Sequence, residues 1–491
     1  MSGPKQYREW QPRQSFLLPP SPLEWLEPDH LAYFILDLVD ELDLSAIEDA
    51  IHSKDARGTR PYSPRMMTAL LLYAYSVGLY SSRKIERATR EHVAFRVLSG
   101  GSHPFFTTIH EFRSVHAEAL SSLFDQVLEL CQKAGLVKLT HVAVDGTKVQ
   151  ANASKHKAMS YARMVEEETA IQKQVREWFR LADEADAEED ARYGVGKREH
   201  DLPEELRRRE DRLRLIRQWK KELEEEARAS RAAELQEQAE RARQRTETEP
   251  RQKVRRANRS RAKRCDEQAQ SMSPVSLEDF VTPTGLPKHR VRARPDGTPH
   301  PKAQWNFVDS ESRIMERGGT FLQGYNCQLA VDSAHQIIVA QAVTNQCPDN
   351  GNLLPMLEQV EANCGKPPTV VTADAGYWSP EVPSACQTRG TDVYIAPDRK
   401  KSRSDRESYD ESGGEAKLVM RKKLQTDEGR EIYARRKAII EPVNGQIKEA
   451  RGFRRFSVRG LPKVGRQWSL VCTAHNLLKL FASTRAAVPA V

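Results

Sequence analysis

Nowhere does the chain hold an apolar run near the roughly 18 residues that span a bilayer, and its first stretch, Met1–Gln11, has no signal-peptide core. A protein of the cytoplasm or the nucleoid is therefore expected. Cysteine is scarce. Its seven positions (131, 265, 327, 347, 364, 386 and 472) are odd in number and include no Cys-x-x-Cys pair. That spacing excludes a disulfide framework and a zinc ribbon, and predicts reduced thiols. Aromatics are only 7% of residues and are few between Met159 and Arg243, so that stretch must be held together by other means. Neither sign of charge dominates: 77 basic minus 69 acidic residues leaves +8, with a pI near 9.0. This basic bias suits a polyanionic partner and equally suits many cytosolic proteins, so composition alone does not decide.

What is present implies more than one core. A chain of 491 residues with 38% hydrophobic and 30% charged content predicts two to three domains and at least one long polar region. Residues 1–24 are Pro-rich and polar and read as a flexible arm. Helical patterning begins at Asp29, an expected N-cap for a helix bearing Leu31, Phe34, Ile35 and Leu38. Ser63-Pro64 opens a second helix that Gly78 stops. Ser82 begins a third, which carries Arg83, Lys84, Arg87 and Arg90. Thr108 begins a fourth, running through Phe112, Leu123 and Leu130. The basic third helix suits DNA-phosphate contact in a helix-turn-helix-like pair, or is a solvated face. Residues 25–135 thus form an expected all-α domain for DNA binding or dimerisation.

From Leu139 to Val149 the pattern changes to a buried strand, with Val142 and Val144 around Ala143 and an acid, Asp145, closing the run before Gly146. Val370–Tyr377 repeats the design around Asp374. A third acid, Glu441, lies in a helical segment, Tyr433–Arg451. Two strand-end acids and one helical acid are a donor set for a hard divalent cation, which prefers oxygen ligands and leaves positions open for phosphate and water.

Between the first strand and the others lies a charged stretch, residues 158–301. Met159–Ala185 and Glu204–Arg243 read as helices with sparse apolar positions (Leu213, Leu215, Ile216, Trp219 and Leu223), which suggests a helical hairpin or a loose coiled coil. Arg251–Arg264 is a basic cluster that attracts phosphates or is merely solvated. Residues 272–301, rich in proline, read as a flexible linker. Strands follow at Leu322–Val331, Gln336–Val343, Thr369–Asp374 and Asp392–Ala396, with helices at Asn352–Cys364 and Ser379–Arg389. Without the insertion this is an α/β sheet of five strands with a hairpin and parallel crossovers. Loop closure adds only about 0.6 kcal/mol per doubling of loop length, so a long insertion is compatible with one core.

These residues resemble the DDE transposases of bacterial insertion sequences, in the insertion-sequence-four/five-like superfamily and most closely its eleven-eighty-two group. Asp145-Gly146-Thr147 is similar to the first acid motif, Asp374-Ala375-Gly376-Tyr377 to the second, and Glu441 with Lys448 to the third. Further likenesses are Pro61–Ala88, Thr108–Arg113, Asn306-Phe307 with Asp309, Tyr325-Asn326 and His475–Leu480. Here Tyr433 precedes Glu441 by eight positions rather than seven, and Lys437, with Arg436 beside it, stands four before it.

The resemblance implies a ribonuclease H-like catalytic core, a five-stranded mixed sheet with flanking helices, over residues 136–157 and 302–482, followed by a tail at 483–491. It implies Asp145, Asp374 and Glu441 as catalytic metal ligands. The cofactor implied is Mg²⁺, two ions per site, with Mn²⁺ as a substitute. It further implies cleavage at terminal inverted repeats and transfer of 3′-hydroxyl ends to target DNA. The partners implied are double-stranded DNA and further copies of the chain, as a homodimer or larger oligomer on DNA; no membrane is involved. Lys448 is expected to reach a phosphate, and Tyr433, Arg436, Lys437, Arg451, Arg454, Arg455, Arg83, Lys84 and Arg87 to contact DNA. Phe453 and Phe456, between the tail arginines, stack on bases or pack in the core. Glu441 precedes Pro442, which predicts a kink there. Two other readings remain at this stage, a stand-alone nuclease with this fold and a non-catalytic DNA-binding protein.

Overall fold

The computed structural model describes residues 21, 24–53, 60–193, 204–272, 276–398 and 414–486. Residues 1–20 of the expected arm and 487–491 of the expected tail lie outside them. Two compact units are present, Met1–Leu123 with Leu480–Val491, and Phe124–Lys479.

Helices α1 (Leu31–Glu41), α2 (Ser45–His52), α3 (Pro64–Ser76), α4 (Ser82–Glu91), α5 (Val93–Leu98), α6 (Phe106–Val115) and α7 (Ala117–Lys133) come first. Ser63 and Pro64 open α3 as N-cap and first helical residue, and Gly78, at φ +79°, stops the chain in the left-handed region glycine favours. Nearly all of α3 is buried, from Met67 to Ser76. Two expectations fail locally. The cap of α1 is His30, whose Nδ1 accepts from Ala32 N at 3.0 Å, while Asp29 pairs with Arg485 at 2.5 Å. The single helix expected from Thr108 to Leu130 is two, α6 and α7, broken at His116.

The second unit is built on a six-stranded mixed sheet. Its strands are β1 (His141–Gln150), β4 (Arg313–Arg317), β5 (Thr320–Asp332), β6 (Ile338–Thr344), β7 (Val370–Ala373) and β8 (Asp392–Ile395); β2 and β3 belong to the insertion described below. The long β5 pairs antiparallel with β1 on one edge, and on the other with β4 and then β6. Strands β1, β7 and β8 run parallel. The sequence reading has five of these strands; β4 is the sixth, and it extends the edge beyond β6. Helices α11 (Leu353–Cys364) and α12 (Val382–Thr388) make the crossovers, and α13 (Glu415–Gln425), α14 (Asp427–Gly445) and α15 (Leu461–Ala486) follow. Asn476 of α15 completes the edge of β6, accepting from Ile338 N and donating to Ile338 O, each at 2.8 Å. An edge strand thereby finds side-chain partners for its free backbone groups.

The insertion is closed at its base by a two-stranded sheet of β2 (Ala158–Ser160) and β3 (Gln304–Asn306), with Met159 opposite Trp305. Its ends therefore meet, which keeps its cost to the main sheet small. It contains α8 (Tyr161–Tyr193), α9 (Glu204–Thr248) and α10 (Gln252–Met272). Met164, Ile171, Leu213, Ile216 and Leu223 pack where α8 meets α9, Trp219 stacks on Phe307, and Leu215 is exposed. Alanines line the α9–α10 seam, Ala232, Ala239, Ala242, Ala262 and Ala269 with Cys265, so two polar helices pair closely without aromatics. The basic cluster 251–264 is thus mostly part of a third helix. Residues 276–301, expected as a flexible linker, pack instead: Phe280, Leu286 and Val291 are buried, and isolated bridges join Val281 to Pro287 and Ala293 to Pro299. All seven cysteines are free.

Candidate active site

Asp145 does not end its strand. β1 stays paired with β5 as far as Gln150, whereas its pairing with β7 stops at Val144↔Ala373. The parallel register therefore places the next residues, Asp145 and Asp374, side by side where the two strands part. Each carboxylate takes one backbone N–H from its own turn, Gly146 N to Asp145 at 3.0 Å and Gly376 N to Asp374 at 2.7 Å. Burial first, and then the Asp374 charge, push the Asp145 carboxyl up to about 6; Arg436 and the Gly146 N–H oppose this, and Asp349 adds to it.

Asp349 is the acid the sequence reading lacks. It lies in the loop after β6, and its Oδ1 accepts from Asn326 Nδ2 at 2.7 Å, Gln328 Nε2 at 2.9 Å and Lys148 Nζ at 3.2 Å. Gln328 in turn accepts from the buried Tyr377 hydroxyl. A side chain at Gly146 would collide with Asp349 Oδ1 and Gln328 Nε2, and one at Gly376 would lie 3.5 Å from Asp349 Oδ2. Glycine at 146 thus makes room for a third carboxylate, whereas at Gly376 the close contact would be with Asp374 Oδ1. The signal in the sequence was Gly146 itself, since glycine inside a strand often marks close approach of another group.

Helix α14 packs on β1, β7 and β8. It brings half-buried Tyr433 and Arg436 to the acid pair; the Arg436 guanidinium lies 5.8 Å from the centre of the Tyr433 ring. Lys437 is exposed. Pro442 sits inside α14, which continues to Gly445 and passes into a π-helical turn, Gln446–Ala450. The N–H that Pro442 lacks would have met Ala438 O; that carbonyl accepts from Gln336 Nε2 at 3.3 Å instead. Glu441 is exposed, without an ion pair or hydrogen bond to its carboxylate among the described residues. So the fold unites Asp145 with Asp374, and Glu441 is exposed on the helix that packs against both of their strands.

Lys448 points inward. It is 8% exposed, its ammonium donates to Thr147 Oγ1 and to Lys148 O at 3.2 Å, and burial, then Arg317, bring its pKa down to about 8 against the pull of Cys327 and Asp145. The expectation of a DNA contact fails for Arg451, which is buried and donates to Gln446 O and His475 Nδ1, each at 3.1 Å. His475 passes its other ring nitrogen to Gln336 O at 2.9 Å, so its part is structural. Phe453 and Phe456 pack edge to face in the core; base stacking is excluded by their burial. Arg454 and Arg455 are exposed, Arg454 paired with Glu449 and Arg455 donating to Asn152 Oδ1 at 3.2 Å. Arg83, Lys84 and Arg87 are exposed on α4; Arg83 lies over Phe106 and Arg87 pairs with Glu91.

The donor chemistry suits a hard divalent cation. Asp145 and Asp374 offer adjacent carboxylates, each with an oxygen not engaged by the turn N–H. Among the described residues no three acids, histidines or cysteines form a ready-made cage, and Asp349 is engaged by its own donors. Nor is any described helix long and apolar enough to cross a membrane.

Residues 286–477 match the family described as Transposase DDE domain, and residues 21–115 match Transposase domain (DUF772). No curated protein and no solved structure matches the chain. The first match contains Asp374 and Glu441; Asp145 and most of the insertion fall in the unmatched span between the two. With a mixed sheet that sets two acids side by side, these two domains support a DDE transposase of insertion-sequence type.

Proposed function

We propose that the chain cuts DNA at the terminal inverted repeats of an insertion sequence and joins the freed 3′-hydroxyl ends to target DNA, on a ribonuclease H-like core of the eleven-eighty-two group. The observation that carries this reading is the parallel register Val144↔Ala373, which puts Asp145 beside Asp374 in a chain with two transposase-domain matches. Asp145 and Asp374 would hold the metal, joined by Glu441, whose carboxylate is unengaged among the described residues. Two bound Mg²⁺, or Mn²⁺ in their place, would supply Lewis acidity and a nucleophilic oxygen at neutral pH.

The chain's own residues do the rest. Asp349 keeps Lys148, Asn326 and Gln328 in place behind the two acid-bearing turns. Arg436, whose buried Nε has no hydrogen-bond partner among the described residues, offers its guanidinium to a DNA phosphate beside the acids. Exposed Lys437, Arg454, Arg455 and the α4 cations Arg83, Lys84 and Arg87 carry backbone contacts, and Lys448 holds β1 against the π turn. Joining two ends requires more than one copy of the chain on DNA.

The test is the full chain with Mg²⁺ and duplex DNA ending in the element's own repeats. Nicks that leave 3′-hydroxyls, followed by joined products, are expected, and both should vanish in D145N, D374N and E441Q. Nicking that persists in those variants overturns the assignment of the acids. Cleavage without joining would instead identify a nuclease.

A further inference from the structure

Many of the described cations on α9 are paired with acids. Where α8 meets α9, Glu168 takes both Arg217 at 3.0 Å and Lys220 at 2.7 Å, Glu167 takes Arg212, and Arg214 pairs with Asp211 at 2.7 Å. Toward the far end of the α9–α10 seam is a cavity of about 130 Å³ lined by Gln238, Arg241, Ala242, Arg245, Asn258 and Arg261. No acid lines it. The α9 members fall at i, i+3, i+4 and i+7, and the α10 members at i and i+3, so one face of each helix supplies the lining. Arg245 and Arg261 have no ion pair among the described residues. Arg241 has one, at 4.0 Å to Glu237, whose nearer partner is Arg290 at 2.6 Å. Elsewhere on α10, Lys253, Arg255, Arg256, Arg259 and Arg264 are exposed.

We propose that this cavity binds a backbone phosphate of double-stranded DNA, and that the α9–α10 hairpin is a DNA-contact surface separate from the acid pair. Three guanidinium groups with two carboxamides and no acid are a donor-rich, cationic set, complementary to phosphate oxygens. The small side chains of the alanine seam let the two helices approach closely, and all three arginines line the one cavity. Exposed neighbours on α10 extend the contact along the backbone, the sequence-independent part of DNA binding. The proposal adds a binding site to the function above and does not require that the acids cut.

It is tested by binding of the full chain to a labelled DNA duplex in EDTA, where catalysis is silent, across a range of salt. The triple variant R241Q/R245Q/R261Q should lose about tenfold in affinity, and its salt slope should fall by about 2. The triple variant R214Q/K221Q/K263Q removes the same charge from sites already paired with acids and should lose less than about twofold. Equal losses in the two triples, or none in the first, overturn the proposal. Arginine modification of the unaltered chain gives a check independent of any variant: duplex DNA should protect Arg241, Arg245 and Arg261. No protection overturns it, as does protection by inorganic phosphate or duplex RNA but not by DNA.

Discussion

The sheet and the hairpin treat charge in opposite ways. At the end of β1, like charges are crowded and partly buried, and the structure answers by raising the Asp145 carboxyl to about 6 and by engaging Asp349 with Lys148, Asn326 and Gln328. On α9 and α10 like charges are left in water, where their mutual repulsion is screened and costs little. The first arrangement is tense without a cation; the second is comfortable without an anion. Buried charge of one sign thus points to chemistry, and exposed unpaired charge of the other sign to surface contact.

The largest effect that tests this comparison is at the acids. Replacing Asp145 or Asp374 by Asn should reduce DNA cleavage by about a thousandfold or more, since several kcal/mol of transition-state stabilisation is lost, while a melting experiment shows the fold retained or strengthened. Smaller, and on stability, is E168Q. It removes the acid that holds Arg217 and Lys220, and should cost about 1–3 kcal/mol in denaturant unfolding, whereas R256Q with R259Q on the unpaired face of α10 should change stability by less than about 0.5 kcal/mol.

Next is a pH effect. The Asp145 carboxyl, ordinarily 3.8, sits at about 6 when folded, so its contribution to stability is present below 3.8 and is lost as pH rises through 6. Melting temperature measured in EDTA should fall over that window, and D145N should flatten the fall. A melting curve indifferent to D145N would mean that the acids do not repel. A further effect lies on the acid side. His475 and His289 are brought down to about 3, each by burial first and then by a neighbouring arginine, so they favour the neutral fold above 6.5 and lose that contribution as pH falls toward 3. H475Q should shift the acid-unfolding midpoint to lower pH.

Much of this was legible along the chain. Apolar runs marked β1, β5, β6, β7 and β8, because a strand buried on both faces must be apolar, and Ser63-Pro64 with Gly78 marked both ends of α3. The two strand acids were legible for the same reason, as polar residues interrupting apolar runs. Asp349 was not, because a loop acid looks solvated until Gly146 opposite it is seen to leave room. The tail arginines show the converse: Arg451 and Arg454 read alike in sequence, yet one is buried on His475 and the other is exposed with Glu449.

The sequence by itself determined which residues could be strand, helix or cap, and which acids stood where a strand would expose them, since those depend on local sterics and on the period of burial. Only the tertiary structure decided that β1 and β7 run parallel with Val144 opposite Ala373, so that Asp145 meets Asp374, and that Arg241, Arg245 and Arg261 share one cavity. Such meetings depend on register between segments more than a hundred residues apart, or between two helices, and no local preference encodes register.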